Sequence, residues 1–427
     1  MKILEGLPTF TEIFRALMSK GRNLGKDALT IYLFQALSLV IGVISSIIIA
    51  RTLGPAGKGV VDLFTLLIML IVEFGMLGVN SGLLYYLANQ HKPLAEVHGS
   101  AIAYSLVSGV IVATIGISLM HFWQSILPGL PKNIILLAFI LSPFLFYGGL
   151  WANLMTGINL APNVYKIQFF YSSLSVLGIV FLWWKQILTS SSAIYLSAVI
   201  CLLSCMINFL ILGRNNNFQL HPSRPLLADS LKYGSKIYPG FIANWLHFRV
   251  DQLMINWFIG VSGVGLYALS VRWAEMLWLI GFGIINAGLY RISSEDKESS
   301  YILTKNLFKL VFILSGSAGL VLALLSTPLF GLFYGEQFNA SVLPLIILIP
   351  GVVAWNAGRV LSQHISFNRG KPYLCTIAAL IGMVVNIGGN LFAIPRWGIN
   401  GAAATSTISY ILVIIIMLFF FWRLRKV

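Results

Sequence analysis

The stretch that decides the fold is RVDQLMINWFIGVSGVGLYALSVRWAEM, from Arg249 to Met276. Two apolar runs flank a glycine-rich segment, Gly260 to Gly265, which predicts two membrane helices joined by a tight turn. The runs also contain four charged residues: Arg249, Asp251, Arg272 and Glu275. If the hairpin folds at Ser262, these charges lie about 15–20 Å from the turn at a rise of about 1.5 Å per residue, near mid-bilayer.

Charges at this depth need compensation, because each costs at least about 2.5–3.5 kcal/mol on insertion. Counting outwards from Ser262 places Arg249 level with Glu275 and Asp251 close to Arg272. One interpretation is that the pairs only neutralise each other across the hairpin. The other is that the charges line a water-filled cavity. The counting alone leaves both open.

The composition indicates an all-α integral membrane protein. Hydrophobic residues make up 58% of the 427 residues and charged residues only 10%, whereas soluble domains have about 25% charged residues. The apolar runs are long and continuous, unlike the short alternating segments of a membrane barrel. The net charge of +15 does not indicate nucleic-acid binding, because the basic residues sit beside membrane segments. The three cysteines and six histidines show no disulfide or metal spacing, so we expect no metal and no cofactor.

The apolar runs predict about twelve spans of about twenty residues in two six-helix lobes. Residues 28–213 form the predicted N-terminal lobe, 214–236 a cytoplasmic inter-lobe loop and 237–427 the C-terminal lobe. With the N-terminus inside, the outer loops hold only five of the 28 basic residues, while twenty lie in cytoplasmic segments. In a cell inner membrane this distribution predicts that both termini are cytoplasmic. Residues 1–27 predict an amphipathic helix on the cytoplasmic face, with a solvated basic tail as the alternative.

An internal repeat relates the two lobes. LGPAGKG (Leu53–Gly59) aligns with IGVSGVG (Ile259–Gly265) at an offset of 206 residues, and each copy joins the first two spans of its lobe. An even number of spans per lobe makes this a parallel repeat, and transporters with such repeats bind between their halves. The charges are not repeated: the first lobe has Asp62 near the outer end of its second span and Glu73 nearer the cytoplasmic end.

Helix breakers lie within several predicted spans: Pro143, Pro239-Gly240, Pro350-Gly351 and the NIGGN patch from Asn386 to Asn390. Proline in a helix removes a hydrogen bond and kinks the helix. The predicted kinks are either ordinary features of membrane helices or bending points for two lobes that rock.

Four segments resemble the polysaccharide-export flippases, which include the Wzx-type O-antigen flippases of the multidrug/oligosaccharidyl-lipid/polysaccharide exporter superfamily. They are ARTLGPAGKG (Ala50–Gly59), RVDQLMINWFIGVSGVGLYALS (Arg249–Ser270), NRGKPYLCTIAALIGMVVNIGGN (Asn368–Asn390) and IPRWGINGAAATSTISY (Ile394–Tyr410). The resemblance implies two pseudo-symmetric six-helix lobes around a central cavity. It implies transport of undecaprenyl-diphosphate-linked oligosaccharide, with membrane lipids, a polysaccharide polymerase and chain-length machinery as partners. The segment before Ala28 is longer than the family leads us to expect.

The resulting hypothesis has two parts. Arg249, Arg272 and Arg359 bind the diphosphate or acidic sugars, because arginine stays charged and pairs bidentately with phosphate. The acids Asp62, Glu73, Asp251 and Glu275 are candidates for proton or cation coupling, since intramembrane acids mark such relays and no ATP-binding loop is present. The alternatives are a cation-coupled multidrug exporter of the same superfamily and a homologue of the peptidoglycan-precursor flippase, for which fourteen spans are expected. An enzyme is not expected, because the predicted outer loops are too short for an active site.

Overall fold

The structure is a computed structural model that describes residues 22–425, without the side chains of residues 22–25, 286, 287 and 290. The amphipathic helix predicted for residues 1–27 therefore falls almost wholly outside the described residues. Within them the chain is helical and forms no strand. The α-helices, numbered α1 to α15 in chain order, are Arg22–Gly75, Val79–Ala88, Leu94–Ser118, Met120–Ile126, Lys132–Ile140, Ser142–Gly157, Ala161–Trp184, Ser190–Asn215, Arg224–Gly234, Tyr238–Phe258, Val261–Glu275, Trp278–Ser294, Lys297–Tyr334, Val342–Gln363 and Pro372–Arg425. A 3₁₀ helix at Glu336–Ser341 precedes α14, and a π-helix at His364–Asn368 follows it.

Among the described residues, eight helices are long and apolar enough to cross a membrane, and the bent pair α5–α6 makes nine. Two of these, α1 and α15, have 54 residues each and are interrupted at Gly54 and Gly398, so each is long enough for two crossings. The charged helix α10 adds a further 21-residue segment. The total is twelve, which confirms the all-α membrane class and the predicted number of spans.

The decisive hairpin turns more sharply than its sequence predicts. Helix α10 ends at Phe258 and α11 begins at Val261, so only Ile259 and Gly260 connect them. Gly260 has φ 97°, in the left-handed region that glycine adopts without strain. The predicted turn through Gly265 is wrong, because Gly260 alone reverses the chain and the later glycines belong to α11.

Backbone angles support the predicted internal repeat. Gly54, the repeat equivalent of Gly260, also has a positive φ, of 67°. A second pair at the same offset of 206, Gly129 and Gly335, has φ 86° and 89°. The two halves of the sequence therefore share a left-handed glycine at each of these two pairs of positions.

The predicted breakers behave differently from one another. The bend at Pro143 is confirmed, because α5 and α6 meet there at 47°. Pro239 lies in the first turn of α10, where its missing N–H costs no helical hydrogen bond, so the predicted kink is wrong. Pro350 and the Asn386–Asn390 patch lie inside helices with no break at those positions.

By packing, the chain divides into two compact units. The N-terminal unit comprises Leu33–Trp245 and Ile255–Gly265. The C-terminal unit comprises Leu246–Met254 and the chain from Leu266 onwards, with the described start of the chain up to Tyr32. The lobe bounds given above for the sequence remain a prediction.

Within the N-terminal unit, the two glycine motifs lie against each other. A Cβ added to Gly59 would collide with the carbonyl oxygen of Val261, and one added to Gly265 would collide with the carbonyl oxygen of Pro55. In the same unit, α9 packs on α2 through Gly78, Gly82 and Gly234, again with backbone against backbone. The 214–236 segment therefore contains a helix docked on this unit.

The C-terminal unit packs α12, α13, α14 and α15 around two apolar clusters. One contains Ile285, Leu307, Val311 and Val360. The other lies where α13 and α14 meet the end of α15, and its members include Tyr301, Leu361, Val413 and Phe421. Helices α10 and α11 bring the charged residues of the hairpin to this unit.

Candidate functional site

The charges of the hairpin form one ion pair in the C-terminal unit. Arg249 Nη1 and Nη2 donate to Glu275 Oε1 and Oε2 at 2.9 and 3.1 Å. This bidentate geometry is the strongest form of an arginine–carboxylate pair. Each side chain is 21% exposed, so the predicted Arg249–Glu275 pair is present and still reachable from outside the protein.

The second predicted pair, Asp251 with Arg272, does not form. Asp251 is buried, and its carboxylate instead accepts hydrogen bonds from the Tyr267 and Ser406 hydroxyls at 2.6 and 3.1 Å and from the Gln252 N–H at 2.7 Å. Arg249 and Asp251 are two residues apart in α10 and therefore point about 200° apart around the helix, so they do not meet α11 in the same way. Asp251 faces Tyr267 and not Arg272. Its hydrogen-bond partners are neutral groups.

Asp251 is one end of a buried polar network that joins α10, α11 and α15. Asn386 Nδ2 donates to Ser406 Oγ at 3.1 Å, and Asn390 Nδ2 donates to Asn386 Oδ1 at 2.9 Å. Ser409 Oγ donates to the Ser406 carbonyl at 2.9 Å and lies 2.9 Å from His247 Nε2. Because the Ser409 hydrogen is used in this way, we assign the His247 proton to Nε2. Asn390 Oδ1 is buried and has no hydrogen-bond partner among the described residues.

The other predicted cations lie apart from this network. Arg272 is exposed in the last turn of α11. Arg359 lies in α14 and is half-buried, and no described side chain forms an ion pair with it. The structure thus brings together Arg249 and Glu275, with Asp251 nearby.

The two acids of the first half are placed in the N-terminal unit. Asp62 is buried and forms an ion pair with Lys58, one turn away in α1. Glu73 is half-buried near the end of α1, and the Tyr238 hydroxyl donates to the carbonyl of its neighbour Phe74 at 3.0 Å.

An aromatic cluster beside the ion pair was not predicted. The Phe248 ring lies 4.9 Å from Trp355, 5.3 Å from Trp278 and 5.5 Å from Tyr410, measured between ring centroids. The Tyr410 hydroxyl also interacts electrostatically with Arg249 and Glu275. The signal that could have found it is tryptophan within spans, because tryptophan in membrane proteins concentrates at the interfaces. No group of three or more histidine, cysteine or acidic side chains in the described part of the chain could hold a metal ion.

Comparisons with solved structures identify the fold. A structure of the lipid II flippase MurJ in an inward closed conformation matches with a TM-score of 0.78 and 15% identity, over 92% of this chain and 87% of that chain. An inward-facing multidrug resistance MATE family transporter of the MOP superfamily matches with a TM-score of 0.71 and 14% identity, over 91% and 94%. A MOP superfamily transporter from Pyrococcus furiosus, whose binding pocket is described as having reverse polarity, matches with a TM-score of 0.62 and 12% identity, over 97% and 96%. The chain therefore has the fold of the MOP superfamily transporters.

Sequence comparison gives one curated relative and a family. The relative is an uncharacterized membrane protein, MJ1068, of Methanocaldococcus jannaschii, 23% identical over 211 residues. That alignment covers 48% of this chain and 41% of the relative's length. The profile of a family described as polysaccharide biosynthesis protein matches residues 48–343, well over half of the chain. This multi-pass membrane protein therefore belongs to the polysaccharide biosynthesis protein family.

Proposed function

We propose that the protein is a flippase that moves undecaprenyl-diphosphate-linked oligosaccharide across the cytoplasmic membrane by alternating access. The observation that carries this proposal is Arg359, a half-buried guanidinium inside a membrane helix for which no described side chain supplies a carboxylate. A charge in a span is expensive and faces a partner or a water-filled path. An anionic substrate supplies the missing partner.

The chemistry of arginine suits a diphosphate. Its planar guanidinium remains charged in any environment and donates two parallel hydrogen bonds to phosphate oxygens. Arg272, exposed at the end of α11, is a further arginine that we propose contacts the diphosphate or acidic sugars. Arg249 is engaged with Glu275, so its role is to bind substrate as part of a pair and not as a free cation.

We assign coupling to an ion gradient to Asp251, because its hydrogen-bond partners differ from those of the other three acids. Asp62 and Glu275 are held in ion pairs, and Glu73 is half-buried at a helix end. Asp251 is fully buried among neutral donors, where its charge is costly unless a proton or a cation joins it. The unpartnered oxygen of Asn390, in the same network, favours a monovalent cation as co-substrate.

The proposal includes a location. We place the protein in the cytoplasmic membrane, where the proposed substrate is translocated, and the distribution of basic residues along the sequence supports both termini lying in the cytoplasm. A polysaccharide polymerase and chain-length machinery are the partners expected to use the translocated lipid.

The second candidate is a cation-coupled multidrug exporter, which the similarity to the MATE transporter fold favours. The two candidates differ in the charge of the substrate. The half-buried Arg359 favours an anionic substrate, whereas a site for cationic drugs needs a surplus of carboxylates. Efflux of a cationic dye from cells that produce the protein distinguishes them, and we expect none.

The test is translocation in proteoliposomes loaded with a fluorescent undecaprenyl-diphosphate oligosaccharide, measured by the fraction accessible to a reductant that does not cross the membrane. We expect the R359Q variant to translocate between about tenfold and a hundredfold more slowly, because hydrogen bonds to charged groups are worth about 1.5–3 kcal/mol. The R359K variant keeps the charge, so we expect its translocation rate to fall less than that of R359Q. Wild-type liposomes that flip no more lipid than protein-free liposomes contradict the proposal.

A further inference from the structure

The aromatic cluster of the C-terminal unit consists of Phe248 on α10, Trp278 on α12, Trp355 on α14 and Tyr410 on α15. Phe248, Trp355 and Tyr410 lie about 12 Å or more from the nearest ends of their helices, at 1.5 Å per residue. This is the interior of the membrane span and not the interface where tryptophan and tyrosine normally lie. The depth therefore calls for an explanation other than anchoring at the membrane surface.

The cluster is only partly sealed. Phe248, Trp278 and Trp355 are half-buried, while Tyr410 is buried beneath them. Their rings meet edge to face, with interplanar angles of 84° between Phe248 and Trp355 and 61° between Phe248 and Trp278. Phe248 also stacks on the neighbouring His247 ring, so the aromatic surface open to a further group is the half-buried part of these three rings.

The Arg249–Glu275 pair forms the polar side of the cluster. Arg249 directly follows Phe248 in the sequence, and Glu275 precedes Trp278 by three residues. A guanidinium has five N–H donors and the bidentate pair uses two of them. A carboxylate has about four acceptor positions, so Glu275 also retains free ones. Both side chains are 21% exposed, so hydroxyl groups can reach the remaining donors and acceptors.

A pyranose ring needs both kinds of surface. The carbon–hydrogen bonds on one face of the sugar are polarised positive and meet the negative face of an aromatic ring. The hydroxyls around the rim both donate and accept hydrogen bonds, which a paired arginine and glutamate satisfy together. A few polar groups beside aromatic walls are also the usual composition of small-molecule sites.

We infer that the half-buried rings of Phe248, Trp278 and Trp355, together with the Arg249–Glu275 pair, form a carbohydrate subsite that binds a pyranose of the transported glycan. This subsite rests on the proposed function and adds the sugar-binding part to it. The division of labour is then that Arg359 binds the anionic lipid headgroup, while the aromatic cluster distinguishes a glycosylated lipid from a bare one.

The experiment measures the dissociation constants of two lipids for the full chain in nanodiscs. One is undecaprenyl diphosphate, and the other is the same lipid carrying a trisaccharide of pyranoses that begins with N-acetylglucosamine. We expect wild-type protein to bind the glycosylated lipid more tightly. We expect the W355L variant, which keeps a smaller apolar side chain but has no ring, to lose about tenfold of that preference and to keep its affinity for the bare lipid.

Two further variants separate recognition from packing. The W355F variant retains a ring and is expected to keep most of the preference for the glycosylated lipid. The W257F variant changes a tryptophan that is 62% exposed near the end of α10 and is expected to match wild type. W355L and W355F differ in whether an aromatic face is present, so the comparison between them tests recognition by the ring. Thermal unfolding of each variant shows whether the substitution has damaged the fold.

The outcomes are distinguishable. If W355L weakens the binding of both lipids equally, or if W355F and W355L lose the same preference for the glycosylated lipid, the subsite does not exist. If R359Q weakens both lipids while W355L removes only the preference for sugar, both proposals hold. If wild-type protein binds neither lipid, the proposed function fails together with the subsite.

Discussion

Replacing both members of the ion pair, in the R249M/E275M variant, separates a structural role of the pair from a role in transport. Methionine fills a similar volume without charge and adapts to irregular surroundings. The single variants R249M and E275M are the controls, because each leaves one charge without its partner.

The magnitudes follow from the burial of the pair. Removing one partner of a buried ion pair costs about 3–5 kcal/mol, because the remaining charge is left uncompensated. The two side chains are 21% exposed, so water screens part of this cost and we expect about 3 kcal/mol for each single variant. Replacing both partners with apolar groups is often neutral or stabilising, so the double variant should lie within about 1 kcal/mol of wild type.

Two assays are needed. Equilibrium unfolding in mixed micelles, with increasing amounts of a denaturing detergent, gives the free energies of unfolding for the four proteins. Translocation of the fluorescent lipid-linked oligosaccharide in proteoliposomes gives the rates. We expect the double variant to be as stable as wild type but at least about tenfold slower in translocation, a loss of about 1.4 kcal/mol of transition-state stabilisation.

Two results would refute this reasoning. Single variants as stable as wild type would mean that the bidentate contact is energetically irrelevant. A stable double variant that translocates at the wild-type rate would show that the pair is only structural, and it would remove the polar half of the proposed carbohydrate subsite.

Three other changes give clear expectations. The D251N variant should translocate at a rate that no longer responds to an imposed proton or sodium gradient, because a neutral amide neither takes up a proton nor attracts sodium as a carboxylate does. A response of the translocation rate equal to that of wild type contradicts the assignment of coupling to Asp251. The G59A and G265A variants should each lose about 1–3 kcal/mol or more of unfolding free energy through collision with the opposing backbone, whereas G148A, which has open space around its Cβ, should be neutral or slightly more stable in the same unfolding assay. Asp296 caps α13 by accepting from the N–H groups of Glu298 and Ser299 at 3.1 Å. The hydrogen bond from the Ser299 hydroxyl, followed by these backbone bonds, lowers the pKa of Asp296 from its ordinary value of 3.8. The contribution of Asp296 to stability is therefore complete above pH 3.8 and is lost as the pH falls through the lowered pKa. The difference in Tm between wild type and D296A should accordingly shrink in acid, while D296N, which keeps a capping oxygen, should remain close to wild type. A difference in Tm that grows in acid would contradict this reasoning.

The sequence was sufficient for the class of fold because hydrophobicity is a local property. Long apolar runs need no knowledge of their neighbours, so the twelve spans were predictable. The Arg249–Glu275 contact was also predictable, because two helices joined by a tight turn place residues at equal distances from the turn opposite each other. The error at Asp251 came from the same counting. Counting from the turn gives the depth of a residue but not its direction around the helix. Asp251 points about 200° away from Arg249, and it meets Tyr267 and not Arg272.

Most of the candidate site depends on helices far apart in the chain. Ser406 is 155 residues from Asp251, and the aromatic cluster unites four helices. Periodicity along one helix does not specify which face meets which neighbour, so neither arrangement follows from spacing. The Asn386–Asn390 patch was visible as an unusual run of amides and glycines. Its bonding to Ser406 depends on how the two parts of α15 fold back at Gly398, and the sequence does not give that geometry.

The glycine contact in the N-terminal unit has a consequence for both copies of the motif. Of the seven aligned positions in LGPAGKG and IGVSGVG, only the three glycines are identical. Gly54 and Gly260 have positive φ angles where their helices are interrupted. Gly57 and Gly263 lie against the side chains of Leu53 and Ile259, four residues earlier. At Gly59 and Gly265 there is no room for a side chain, because the backbone of the other copy lies against each of them. A side chain at Gly59 or at Gly265 would collide with the backbone of the other copy, so neither position accepts one while this contact persists. The contact therefore constrains the two copies of the motif together at this point, so a substitution at either glycine is expected to affect both.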